Sequence, residues 1–76
     1  MVQAVVMVST APGRSEPVRD RILEIAAAIE AHVVAGEFDV IVELDGEEVQ
    51  DVLHAASSEI QRLDGVQDTK TYIQIG

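Results

Sequence analysis

Val2 to Ser9 is apolar at almost every position, with Gln3 the only polar residue before Ser9. A strand with apolar residues on both sides calls for cover on both faces. Thr10-Ala11-Pro12-Gly13-Arg14 is turn chemistry that ends it. Ser15 can then cap a helix, with Glu16 and Pro17 in a first turn that tolerates a carboxylate and a missing N–H. Val18, Ile22, Ile25, Ala26 and Ile29 follow at i, i+4, i+7, i+8 and i+11, one helical stripe. The spacing predicts that this helix ends within Ala26-Ala27-Ala28. Ile29 to Val34 is ambiguous between helix and strand, and Val33-Val34 before Ala35-Gly36 has the look of a strand end. Asp39 to Asp45 is a cleaner strand, with Val40, Val42 and Leu44 on one side and Ile41 and Glu43 on the other. Gly36-Glu37-Phe38 is then the bend of a hairpin. The D-x-x-E spacing of Asp45 and Glu48 suggests a capping box. A second helix follows on the stripe Val49, Val52, Leu53, Ala56, Ile60 and Leu63, and Asp64-Gly65 stops it. Val66 to Ile75 is a last strand, with Thr69, Thr71, Ile73 and Ile75 alternating against Lys70, Tyr72 and Gln74.

The order β-α-β-β-α-β predicts an α+β, ferredoxin-like fold: a four-stranded antiparallel sheet with two helices on one face. Two helices leave the other face bare, and Ile41 and the outward residues of the first strand make it apolar. Monomers rarely expose such a patch. Sheet-on-sheet dimerisation, forming a dimeric α+β barrel, is therefore expected. Length sharpens the point. A chain of 76 residues without cysteine has no disulfide and no thiolate metal site. Chains this short bury only about 60% of their unfolded surface and lean on oligomerisation. The whole chain, residues 1–76, reads as one domain.

Charge changes the picture further. Fourteen Asp and Glu against five Lys and Arg give a formal net charge of −9. Such a surface repels phosphate backbones and anionic lipid, so direct nucleic-acid and membrane binding are disfavoured. One lysine, Lys70, against four arginines, with acids spread along the whole chain, suggests a haloadapted cytoplasm and a haloarchaeal source. No basic n-region precedes the apolar start and no run nears about 18 apolar residues, which leaves a cytoplasmic protein as the expectation.

Candidate chemistry is sparse. His32 and His54 have no neighbours at metal-ligand spacing, and Ser9, Ser15, Ser57 and Ser58 lie in no nucleophile elbow. No cofactor is expected. His32, on the second strand, is the one residue that could serve as base in a cofactor-independent oxygenase or isomerase. Glu47 and Glu48 fit a helix N-terminus, where they complement the dipole. Arg14, Arg19 and Arg21 cluster around the first helix, where a solvated face is the plain reading and a phosphate-binding patch the sharper one.

Three segments, in order, resemble the leucine-responsive regulator/AsnC (Lrp/AsnC) family. Val34-Ala35-Gly36-Glu37-Phe38-Asp39-Val40-Ile41-Val42 resembles its glycine-aromatic-aspartate hairpin. Leu63-Asp64-Gly65-Val66 resembles its L-P-G-V junction, with Asp64 in place of the proline. Thr69-Lys70-Thr71-Tyr72-Ile73 resembles its last strand. Ala35 stands where the family carries Thr or Ser, and Ala26 to Glu30 where it has a short G-V turn. The resemblance covers the C-terminal effector-binding (RAM) domain, without the helix-turn-helix. It implies a non-enzymatic, stand-alone sensing module that modulates transcription or a partner protein. It further implies homodimers that assemble into octamers or decamers, and a small-molecule effector such as an amino acid bound between dimers. Carried over by position, Gly36, Phe38 and Asp39 would shape the effector site, with Thr69 and Thr71 nearby. The alternatives are the oxygenase or isomerase, and a pure assembly module that oligomerises with itself or with full-length regulators of the same family.

Overall fold

In the computed structural model, which describes residues 1–76, β1 (Val2–Thr10) runs through the middle of a four-stranded antiparallel sheet. β2 (Ala28–Val33), β3 (Val40–Gly46) and β4 (Val66–Ile73) complete it in the order β2-β3-β1-β4. The helices α1 (Ser15–Ile22) and α2 (Val49–His54) connect the strands, and α2 continues as a π-helical segment over Ala55–Ile60. This is the ferredoxin-like order expected from the pattern.

Period-two alternation sorts the strand residues cleanly. Ala4, Val6 and Val8 of β1 and Val40, Val42 and Leu44 of β3 are buried beneath the helices, against Val18, Ile22, Val52, Ala55, Ala56 and Ile60. The helix-distal face carries the other set. Register places His32, Ile41, Met7 and Lys70 in one row across it, and Glu30, Glu43, Val5 and Tyr72 in the next.

The helices depart from the expected boundaries in instructive ways. α1 ends at Ile22, short of Ala26. The stripe runs on because Ile25 packs against the core from a turn, whereas Ile29 is an exposed strand residue. Ala28 to Val33 form a ladder with β3, and Asp45 N–H donates to the Ala27 carbonyl at 2.9 Å. Sheet pairing thus overrides the helical preference of Ala and Glu. Ser15 lies inside the helix rather than capping it: Arg14 is the N-cap, and Ser15 Oγ bonds Thr10 Oγ1 at 2.9 Å.

The capping box of the second helix sits three residues later than its spacing suggested, on Glu48 and Asp51 instead of Asp45 and Glu48. Asp45 is held in the ladder opposite Gln3, so the cap falls to Glu48, whose N–H donates to Asp51 Oδ2 at 3.0 Å. In the second helix the π-helical segment rotates the stripe. Gln61 N–H reaches the Ala56 carbonyl, five residues back, at 3.2 Å, and Ser57 Oγ bonds the Leu53 carbonyl at 2.8 Å. Ala55 turns inward, while Val49 and Leu53 face solvent at 47% and 45% exposure. The segment ends at Ile60 with Gln61 as its C-cap, short of the expected stop, so Leu63 lies outside the helix and Gly65, at φ +98°, serves the turn before β4, where its carbonyl accepts Ala11 N–H at 2.8 Å.

Candidate functional site

The segment between β2 and β3, residues 34–39, is fastened at both ends. Val34 N–H donates to the Asp39 carbonyl at 2.9 Å, and Asp39 N–H to the Val8 carbonyl at 2.9 Å. The Asp39 carboxylate faces inward, where its Oδ2 accepts Thr10 N–H at 2.8 Å. Between these anchors the amides of Ala35, Gly36, Glu37 and Phe38 make no hydrogen bond within the chain.

Beside them lies a groove of about 390 Å³. Its floor is Met7 and Ile41 from the helix-distal face, Tyr72 closes one side, and Val34 to Phe38 form the other. Lys70 Nζ stands 5.8 Å from the centre of the Phe38 ring, over its face, an attractive placement for a cation. The groove therefore has an apolar floor, a wall of loop residues whose amides are unpaired within the chain, and Glu37 in its lining, with Lys70 against the Phe38 ring.

Of the five residues expected at an effector site, two line this groove, Gly36 and Phe38. Asp39 anchors the loop through Thr10 instead of presenting its carboxylate. Thr69 and Thr71 stand opposite Val8 and Val6, on the helix-facing side of the sheet, and Thr69 Oγ1 accepts Gln61 Nε2 at 2.8 Å. Within one chain the structure does not bring them to the groove. Met7, Ile41 and Tyr72 are not among the site residues expected from the sequence; the available signal is that they alternate with the buried set and so share the bare face.

Gly36 has neither a positive φ nor any atom within 4 Å of where a Cβ would stand, so its own chain places no demand on it. His32 lies at the surface and pairs through Nε2 with Glu30 Oε1 at 2.9 Å. Apolar side chains fill the space between helices and sheet, so no cleft there meets His32. No three His, Asp or Glu side chains converge as a metal site. No helix is long and apolar enough to cross a membrane.

The family model described as the Lrp/AsnC ligand binding domain matches residues 3–76. The chain belongs to the Lrp/AsnC family. Among solved structures, the Lrp/AsnC domain here is similar to FFRP-DM1, with 32% identity and a TM-score of 0.92 over 99% of this chain and 100% of that one. It is similar too to the hypothetical protein PHS023 from Pyrococcus horikoshii, at 32% identity and TM-score 0.90, covering 99% and 90% of the two chains. The transcriptional regulator NMB0573 from Neisseria meningitidis, solved as a complex with L-Met, shares the fold at 16% identity and TM-score 0.80, over 99% of this chain and 50% of that one. No curated protein sequence matches the chain. This Lrp/AsnC chain is thus a ligand-binding domain of a family of transcription regulators, and its fold is theirs.

Proposed function

We propose that this domain is a sensor for a small molecule of the amino-acid class, working as a homodimer joined through the helix-distal face of the sheet. The observation that carries the reading is the groove itself: an apolar floor beside a run of unpaired loop amides. An amino acid presents complementary chemistry. Its side chain would lie on Met7, Ile41 and Phe38, its carboxylate would accept from the amides around Gly36, and its ammonium would face Glu37. Gly36 and Phe38 are the proposed contacts, and Asp39 holds the loop that offers them. The L-Met complex of NMB0573 adds a family precedent for an amino-acid ligand. Because the groove opens on the same face that is proposed to dimerise, a second copy would close it. Ligand occupancy and assembly would then be linked.

Thermal-shift screening with the twenty amino acids, at molar salt, tests this reading. At least one apolar amino acid should raise the melting temperature in a saturable way. No shift with any of them contradicts the sensor and leaves an assembly module.

A further inference from the structure

Five basic residues are all that this chain sets against fourteen carboxylates. Three of them, Arg14, Arg21 and Arg62, line a single cleft of about 480 Å³ between α1 and the turn leading into β4, together with Asp20, Leu63 and Asp64. The fold gathers three guanidiniums here, two with one carboxylate partner each and Arg62 with none, and leaves most of their donors unused within the chain. Arg14 Nη2 donates to Asp64 Oδ2 at 2.9 Å, the only hydrogen bond any of the three side chains makes. Arg21 has only a loose pair with Glu24 at 3.9 Å, and Arg62 pairs with no carboxylate.

Arg14 is also held in place from below. A Cβ on Gly65 would stand 3.1 Å from Arg14 Cβ and 3.2 Å from its Nε. The glycine therefore gives the arginine side chain room to lie across the turn, and Asp64 fixes its far end. Like charges held together at short range disfavour one another unless a counter-charge joins them. The guanidinium fork is the donor geometry that planar or tetrahedral oxyanions accept.

We propose that this cleft binds a small anion presenting a phosphate or a carboxylate, gripped by Arg21 and Arg62 with Arg14 as the fixed third donor. The site is separate from the groove, which opens on the other face of the sheet. The net charge of −9 does not forbid it. At an ionic strength of about 0.15 M the Debye length is about 8 Å, so remote carboxylates are screened while the cleft's own arginines act at contact. The same acidic coat turns away a long polyanion, and Asp20 and Asp64 within the cleft favour a ligand of few charges.

Isothermal titration of the whole chain at fixed ionic strength tests the proposal, with inorganic phosphate in one arm and citrate in the other. Saturable uptake of one ion per chain in at least one arm is expected, and the arm that responds identifies the oxyanion class. Arg62→Ala should weaken that uptake about tenfold or more, and R21A/R62A further still, with circular dichroism unchanged. Saturable heat in neither arm, or equal affinity in R21A/R62A, would overturn it. So would a double variant that changes the oligomeric mass while ion uptake stays the same, since the cleft would then be a contact between copies.

Discussion

Asp39 and Gly36 lie three residues apart in one loop and do opposite things. Asp39 takes the amide of Thr10, a residue only 7% exposed, so removing the carboxylate strands a buried donor. Asp39→Ala should cost about 1–3 kcal/mol, read as a lower urea midpoint. Gly36 meets no steric or conformational demand within its chain. Gly36→Ala should therefore leave stability within about 0.5 kcal/mol, yet lower affinity for whichever amino acid the thermal screen finds. A loss of stability comparable to that of Asp39→Ala would make Gly36 a folding residue instead. Gly65 is the contrasting glycine. Its φ is +98°, and an added methyl would stand 3.1 Å from side-chain carbons of Arg14 and Val18. Gly65→Ala should cost about 1–3 kcal/mol in the same measurement.

At the level of elements, the second helix offers the sharpest test. Ile60 is fully buried, while Leu53, one of the stripe residues by spacing, is 45% exposed because the π-helical segment shifts the stripe. Ile60→Val should cost about 0.5–1.5 kcal/mol, and Leu53→Ala, though it removes more carbon, no more than that. A larger loss for Leu53→Ala would place Leu53 in the core and the π-turn elsewhere. The same helix shows what patterning does and does not reveal. β3 was legible because alternation is rigid, Val40, Val42 and Leu44 facing only one way, whereas β2 was ambiguous because its Ala and Glu residues also suit a helix. Helix ends were not legible, because Ile25 and Ile29 keep helical spacing while serving a turn and a strand. Capping was misplaced because the ladder had already claimed Asp45. Two of the five residues expected at the site line the groove, since hairpin chemistry is local. Its floor is not local: Met7, Ile41 and Tyr72 come from three strands, and only register brings them together.

For the molecule as a whole, the bare face decides the outcome. Val5, Met7 and Ile41 occupy the middle of it beside Glu43, Tyr72 flanks them on β4, two helices cover only the other side, and a core this small is marginal alone. Burying that face at about 25 cal/mol/Å² favours a second copy. Charge opposes it, since two chains of −9 repel until screened. The Debye length falls from about 10 Å at 0.1 M salt to about 3 Å at 1 M, so folding and assembly should strengthen together as KCl rises, as haloadaptation would require. A dimer indifferent to salt would remove that proposal and leave the interface. Ile41→Glu, which sets a charge beside Met7 at the centre of that face, should shift the equilibrium toward dissociation and lower the melting temperature at every salt. The most direct measurement is multi-angle light scattering with circular dichroism from about 0.1 to 3 M KCl. We predict that every folded sample has at least twice the mass of the 8.2 kDa chain. A folded species of single-chain mass at any salt would contradict the account.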